Sequence, residues 1–451
     1  MRRSVLVMSA EPVGAQMAGP AIRAAELARA LAAECDVTLS APGRSATIDP
    51  RVTPLEAGMA DIEALVAAAR EHDVVVAQEL PPSVLGSIAG SRTALVADLY
   101  NPIVVEVLEA VAGRPARAAR RTQAALVERT VALCAAADLI VCANERQRDL
   151  WIGGLALTGL LDVDAYRRDP TLRSLVAVVP FGLPGEPPPA RGGRLRSEFP
   201  HIAADDLVLI WGGGLWGWLD PVTPMRAVGL LAQRGGVDGR AVHLVVMGAG
   251  RPGLEATGQG PAVERALDEA RRLGLAGKLV HVNTGWVRYE ERGAWLADAD
   301  VGVCAHHEHL ESRYSHRTRI LDYLWAGLPV ATSSGDALAD LVEREGLGRT
   351  VAPDDVEGFA AACAELLGEA GAAARLRIAA VAPSLRWDRV AAPLVEWCAR
   401  EQPRRAVKQR ALRRAMLGQQ RWALEETLAQ EGALAAAQRV ARRLRRMRTL
   451  R

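Results

Sequence analysis

His306-His307-Glu308-His309-Leu310-Glu311-Ser312-Arg313-Tyr314-Ser315-His316-Arg317-Thr318-Arg319-Ile320-Leu321-Asp322-Tyr323-Leu324-Trp325-Ala326-Gly327-Leu328-Pro329-Val330 follows the apolar run 301–305. That run has the length of a buried strand. The polar loop after it leads into a helix that Ser315 can cap, Gly327 can end and Pro329 forbids from resuming. A helix that opens where a sheet ends gathers unpaired backbone N–H groups, the positive end of a helix dipole and two guanidiniums, Arg317 and Arg319, about one point. Such a point attracts phosphate. Asp322, three residues after Arg319, shares its helix face. Its carboxylate can accept hydrogen bonds from the two hydroxyls of a ribose, or pair with Arg319 on a solvated helix; these residues by themselves leave both open.

The string Arg319-x-x-Asp322-Tyr323-Leu324-x-Ala326-Gly327-x-Pro329-Val330 resembles the donor-site signature of the retaining glycosyltransferases of family 4 (group 1), which have two Rossmann-like domains (GT-B). The resemblance implies a nucleotide-sugar whose diphosphate and ribose lie against Arg317, Arg319 and Asp322. Asp322 stands where the family usually has Glu, and the family's earlier Glu falls on Tyr314. The nearest carboxylate is Glu311, which is carried over as a contact to the donor sugar's hydroxyls. Glu311, Arg317 and Arg319 are therefore the expected catalytic set.

A chain of 451 residues exceeds what one hydrophobic core usually spans, so two domains are expected. With 50% hydrophobic and 24% charged residues and a net charge of +2, the composition is that of an ordinary globular protein. Cys35, Cys134, Cys142, Cys304, Cys363 and Cys398 form no C-x-x-C and mostly lie in apolar runs, as reduced core residues do. The apolar run after Met1-Arg2-Arg3 is broken by Glu11, too early for a signal peptide, and no uncharged run reaches the roughly eighteen residues of a membrane span. The expected location is cytoplasmic.

From the N-terminus, a strand at 4–9 leads through a loop containing Gly14 and Gly19 into a helix entered by Pro20, with Ala24, Leu27, Ala28 and Leu31 as its buried stripe. Strand, glycine loop and helix suit a phosphate or a plain tight turn, and the G-x-G-x-x-G spacing is lacking. The stretch from Ala18-Gly19-Pro20-Ala21-Ile22-Arg23 to Leu31 resembles the family's glycine-rich loop and first helix, facing the cleft. Further strands at 37–40, 74–78, 94–99, 139–143 and 176–180 alternate with helical stretches at 61–71, 103–112 and 114–137. This is the pattern of a doubly wound parallel sheet. Asp98 ends one of those strands, where such sheets bind ligands. The family often has His-Asp there and this chain has Ala97-Asp98. Gly19, Arg23 and Asp98 are the acceptor-side candidates, with a loop-capping Asp as the plainer reading of Asp98.

The run Pro180-Phe181-Gly182-Leu183-Pro184 and the proline- and glycine-rich residues to Gly193 mark a hinge. A second alternating set starts at 208–211 and enters Gly212-Gly213-Gly214, where no Cβ keeps a diphosphate from the backbone. The family carries Arg just after the first of these glycines and Lys about five residues on; here Gly214 and Leu219 occupy those places. The set continues at 243–248 and 280–287. In relatives the loop after Gly285 grips the nucleobase, which makes Trp286 and Val287 candidates beside Gly213 and Gly214 for the donor. A packing role for Trp286 stays open. Adjacent His306 and His307 face opposite ways on an extended chain, and no fourth ligand has suitable spacing, so no metal and no cofactor are assigned. One of these histidines beside a phosphate is the better reading. The helix 337–345, a strand near Thr350 and an amphipathic helix from Trp387 to Trp397 close the pattern.

The expected architecture is α/β: an acceptor-side Rossmann-like domain at 1–185, a nucleotide-sugar domain at 186–384, a crossing helix at about 385–402 and a basic helical tail at 403–451. What the resemblance implies is transfer of a hexosyl group with retention, without metal, to a glycan or lipid-linked acceptor in envelope polysaccharide or glycolipid synthesis. A nucleotide-sugar epimerase on the same fold, with Glu311 or His307 as acid/base, and a non-catalytic nucleotide-sugar-binding protein are the other readings. The tail carries fourteen basic and four acidic residues from Glu401 to Arg451, with an interrupted apolar stripe. It suits an anionic membrane surface first, then a second subunit, and nucleic acid last. A chain ending near Arg400 is expected to stay soluble and folded.

Overall fold

The computed structural model describes residues 2–43, 48–248, 259–401, 405, 409–410 and 412–418. Seven parallel strands form the first sheet: β1 Ser4–Met8, β2 Asp36–Ala41, β3 Val52–Glu56, β4 Val74–Ala77, β5 Ala94–Asp98, β6 Leu139–Cys142 and β7 Val176–Val178. Six make the second: β8 Leu207–Trp211, β9 Val242–Val246, β10 Val280–Val282, β11 Val301–Cys304, β12 Val330–Ser333 and β13 Gly348–Val351. The orders are β3-β2-β1-β4-β5-β6-β7 and β10-β9-β8-β11-β12-β13, all pairs parallel. Central strands such as Val74-Val75-Val76-Ala77 and Leu207-Val208-Leu209-Ile210-Trp211 are buried throughout, because crossover helices cover both faces of a parallel sheet. β3, not anticipated from the sequence, lies at an edge. It contains Pro54, which an edge strand tolerates because one side of it needs no ladder partner.

Each sheet reverses its strand order once, between β1 and β4 and between β8 and β11. Crevices at the carboxyl ends of such strands are where open α/β sheets hold ligands. The two domains are joined at Gly182, where a Cβ would stand 2.8 Å from the Trp387 backbone nitrogen. Leu183 N–H donates to the Leu385 carbonyl and Trp387 N–H to that of Leu183, at 2.8 and 3.1 Å. The single helix expected from Trp387 to Trp397 is two, Trp387–Val390 and Ala392–Ala399, since Pro393 has no N–H with which to continue the first. Both pack against the helix Gly19–Leu31 of the first domain. No helix among the described residues is long and apolar enough to cross a membrane.

Two expectations are corrected. Ser315 does not cap the helix that follows it: a short helix, Leu310–Tyr314, precedes it, and its hydroxyl donates to the Ser312 carbonyl at 3.0 Å. The next helix, Thr318–Trp325, begins after Arg317 with no side-chain cap, and ends as expected with Gly327 at φ +70° and Leu328 N–H donating to the Tyr323 carbonyl. The second correction concerns the tail, most of which lies outside the described residues. Its first turns are part of the first domain. Leu412 and Ala415 are 3% and 5% exposed, packed with Met416 into the core behind the first sheet. Arg405 is buried, with its N–H donating to Asp138 at 2.8 Å and its guanidinium to the carbonyls of Cys134, Ala137 and Leu160.

Candidate active site

The second sheet's reversal point is flanked by the loop after β8 and by the segment after β11. Gly213 has φ +83°, which favours glycine over any side chain. Gly212 N–H donates to the Tyr323 hydroxyl at 2.7 Å, and that hydroxyl donates to the Val303 carbonyl at 2.8 Å. Tyr323 therefore ties the glycine loop to β11. Its ring fills the space above Gly302, where a Cβ would stand 2.3 Å from it.

Arg319 reaches the loop. One Nη donates to the Gly214 carbonyl at 3.0 Å, the guanidinium stacks 4.5 Å over the Trp211 ring, and the other Nη is buried without a hydrogen-bond partner. Arg317 is engaged differently from the sequence expectation. It closes a bidentate pair with Glu311, at 3.1 and 2.6 Å, with both side chains buried and only Nε left unpaired. Glu311 and Arg317, read as two separate contacts to the donor, thus satisfy each other, because the short helix folds Glu311 back over the start of the next one. Across the cleft, burial first and then the Glu311 carboxylate push Glu106 of the first domain up to about 7, against the opposing pull of Arg317. Asp322, half-exposed, pairs with Arg292 at 3.3 Å and not with Arg319. Arg292 itself lies 3.6 Å over the Tyr289 ring. Trp286 and Val287 are both half-buried, Val287 packing on the core.

Behind these residues lies a group that the sequence reading did not assemble. His306 and Asp336 are 1% and 0% exposed, with His306 Nε2 3.4 Å from Asp336 Oδ2, and neither of those atoms has a hydrogen-bond partner. Asp336 Oδ1 caps the helix Ala337–Glu345, accepting from Leu338 and Ala339 N–H at 2.8 and 3.0 Å. Burial pushes the Asp336 carboxyl up, but His306, Arg317 and the Ala339 amide outweigh it and hold the group below its ordinary value. Both ring nitrogens of His316 are buried and unpaired, and burial takes that ring down to about 4, so it is neutral at pH 7. The remaining histidines have separate partners: His307 Nδ1 meets Asp354 at 2.9 Å, and His309 accepts from Ser312 N–H and meets the Trp218 carbonyl. Asp220, close to His307 and Asp354, is occupied on one oxygen by the N–H groups of Val222 and Thr223.

On the first domain, Gly19 opens the helix Gly19–Leu31, and a Cβ there would lie 3.4 Å from the Tyr100 hydroxyl. Arg23 and Asp98 form a fully buried pair at 2.8 Å. The same guanidinium donates to the carbonyls of Val179 and Pro180 and lies 4.7 Å over Tyr100. Two acceptor-side candidates are therefore brought together, but as a brace between β5, β7 and the hinge. Contacts that the sequence reading missed hold the domains face to face. Asn144 donates to the Ser315 carbonyl at 3.3 Å and Gln147 to that of Tyr314 at 2.9 Å. Arg146 reaches the Gly335 carbonyl at 2.6 Å and Asp340 at 2.5 Å. The signal was available: Asn144 accepts from Gln147 N–H at the start of the helix Glu145–Leu157, and Asn-x-x-Gln before a helix is a cap signature.

Residues 223–369 match the family described as glycosyl transferases, group 1. Within the second domain that stretch is similar to group 1 glycosyl transferases, and the fold is GT-B. Anabaena Alr3699/HepE, crystallised with UDP and glucose, superposes with a TM-score of 0.63 at 14% identity, over 88% of this chain and 99% of that one. WaaG, a glycosyltransferase involved in lipopolysaccharide biosynthesis, gives 0.58 at 16%, over 87% and 98%. The trehalose-6-phosphate synthase of Burkholderia multivorans gives 0.61 at 13%, over 88% and 96%. In sequence, the chitobiosyldiphosphodolichol beta-mannosyltransferase of Arthroderma benhamiae is 32% identical over 145 residues, which is 31% of this chain and 31% of that protein's length.

Proposed function

We propose that this protein transfers a sugar from a nucleoside-diphosphate donor to a glycan or lipid-linked acceptor, with retention and without a metal ion, in envelope polysaccharide or glycolipid synthesis. One observation carries the reading: buried polar atoms of His306, His316, Arg317 and Arg319, on the segment after β11, and of Asp336, after the neighbouring strand β12, lack partners. Buried polar groups are almost always satisfied, so a cluster of unsatisfied ones fits a polar ligand. Breaking the glycosidic bond adds negative charge to the departing diphosphate, and fixed donors aimed at that charge lower the barrier. The HepE structure with UDP and glucose and the mannosyltransferase relative, whose name gives a lipid-linked glycan, favour this donor and acceptor class. Incubation with UDP- and GDP-sugars, followed by analysis of the released nucleotide and of the sugar product, tests it. Free nucleotide with a new glycoside supports transfer; an altered sugar still on its nucleotide would mean an epimerase, and binding without turnover a binding protein.

Asp322→Ala is expected to weaken ribonucleotide binding more than binding of the 2′-deoxy counterparts, because its carboxylate is the candidate acceptor for ribose hydroxyls. Equal losses in a calorimetric titration would make it a partner of Arg292 only. Transfer is expected to survive EDTA, since cationic side chains and a helix terminus do the work that a divalent ion does elsewhere. Loss on chelation with recovery on adding Mn²⁺ would refute that. The docked part of the tail leaves Arg410, Arg413 and Arg414 exposed, which suits an anionic bilayer. Full-length protein should sediment with phosphatidylglycerol vesicles in low salt and be released by high salt, whereas a chain ending at Gly418 should sediment less; equal sedimentation would exclude the distal tail as the anchor.

A further inference from the structure

The short helix Leu310–Tyr314 carries Glu311, the partner of Arg317, yet its end is not closed within the second domain. The last carbonyls of a helix have no partner inside it. Here the Glu311 carbonyl accepts from Ser315 N–H, and the Ser312 carbonyl from the N–H and the hydroxyl of Ser315. The carbonyls of Arg313, Tyr314 and Ser315 accept, among the described residues, only from side chains of the first domain. Arg146 Nη1 donates to Arg313 at 3.3 Å, Gln147 Nε2 to Tyr314 at 2.9 Å and Asn144 Nδ2 to Ser315 at 3.3 Å. The same Arg146 nitrogen donates to the Gly335 carbonyl at 2.6 Å, beside Asp336. The start of the helix Glu145–Leu157 thus grips the segments that follow both β11 and β12.

Two of these side chains are aimed by their own helix. Asn144 Oδ1 accepts from Gln147 N–H at 2.9 Å, and Gln147 Oε1 accepts from Ala143 N–H at 2.8 Å. This is a reciprocal cap. Because a backbone N–H only donates, each amide turns its oxygen to the helix and its NH2 outward, toward the second domain. Arg146 is fixed at its other nitrogen by Asp340, at 2.5 Å. Gln147, Asn144 and Ser315 are 0%, 8% and 3% exposed, and a buried carbonyl that loses its donor costs more than the bond contributed.

A helix of five residues has too few bonds of its own to persist in water. Leu310–Tyr314 is held from the first domain, where Ile103–Val111 and Glu145–Leu157 both pack against it. Beyond it the chain runs through His316 and Arg317, which have buried nitrogens without partners, into the helix Thr318–Trp325.

We infer that Asn144, Arg146 and Gln147 are positioning residues for the donor: they close the end of Leu310–Tyr314 from the opposite domain and so hold 311–317 in its ligand-ready form only while the two domains face each other. This rests on the reading of the site as a nucleotide-sugar site. The three residues act through the backbone carbonyls they hold, not on the donor itself. Closing the domains and assembling the donor site are then one event. The apparent affinity for the nucleotide falls by whatever fraction of the protein lacks the closed form, so loss of the grip falls on donor binding more than on kcat.

The test uses full-length protein carrying Asn144→Ser, Gln147→Glu or both, with whichever of UDP and GDP the wild type binds. Ser caps a helix as well as Asn does but is too short to reach the Ser315 carbonyl. Glu keeps an oxygen for Ala143 N–H and offers the Tyr314 carbonyl an acceptor in place of a donor. Both changes spare the cap and remove the donors that cross the cleft. The double variant should bind the nucleotide at least about tenfold more weakly by calorimetry and raise the donor KM to match, with a smaller change in kcat. Without nucleotide it should melt with the wild type. Asn144→Ser alone, which adds no charge, should shift the affinity in the same direction. Arg146→Ala, at a half-exposed side chain that takes no part in the cap, supplies the same readout if the double variant does not fold. Wild-type affinity in the double variant or, failing that, in Arg146→Ala would overturn the inference and leave the transferase reading intact. A drop in melting temperature without nucleotide large enough to account for the lost affinity would also overturn it, since the residues would then serve the fold alone. A wild type that binds neither nucleotide would overturn both.

Discussion

Arg319→Ala should lower the affinity for UDP or GDP, and kcat/KM for the donor, by about 10- to 150-fold, the range of about 1.5–3 kcal/mol for a hydrogen bond to a charged group. The side chain is built for one contact more than it makes. Its stack on Trp211 and its bond to the Gly214 carbonyl fix the guanidinium plane, and the remaining Nη is buried with nothing to bond. Arg319→Lys should recover only part of the loss, because an ammonium cannot hold the carbonyl and a phosphoryl oxygen in one rigid fork. Unchanged nucleotide affinity in Arg319→Ala, measured by calorimetry, would remove this residue from the site. Arg317→Ala is a useful contrast. It leaves Glu311 buried and uncompensated, and breaking a buried pair in this way costs about 3–5 kcal/mol. Its defect should therefore appear in the melting temperature as well as in activity.

Ending the chain at Arg400 should destabilise the first domain markedly, against the expectation from composition that the whole tail is dispensable. The cut removes Leu412, Ala415 and Met416 from the core and uncovers the carbonyls of Cys134, Ala137 and Leu160 that Arg405 satisfies. Loss of one buried leucine side chain alone typically costs about 2–5 kcal/mol. A chain ending at Gly418 retains all of these contacts and should melt with the full-length protein. Equal melting of the 400 and 418 chains, followed by circular dichroism, would show that the segment contributes nothing to the fold.

The same contrast separates what was legible in the chain from what was not. Alternation of apolar runs with helical stretches, Gly182 in the hinge, the helix at Thr318–Trp325 and its stop at Gly327 could be read from the sequence, because each depends on neighbours within a few residues: periodicity, φ preference, a missing N–H. The tail was misread for a related reason. Its arginines dominate the composition, and nothing local distinguishes a buried Arg405 from a solvated one.

What the tertiary structure decided is who meets whom. Asp322 turning to Arg292, Arg23 pairing with Asp98 and His306 facing Asp336 are fixed by which strand lies beside which and where each one ends. Asp98 ends β5 and Arg23 follows β1, two strands separated by β4; His306 follows β11 and Asp336 follows its neighbour β12. An arginine and an aspartate carry no mark of their partner at long sequence separation. The sequence by itself determined two doubly wound sheets and the helix that stops at Gly327, while the order of the strands, set by packing their apolar faces under the crossover helices, determined which distant charges are spent on each other and which are left unpaired.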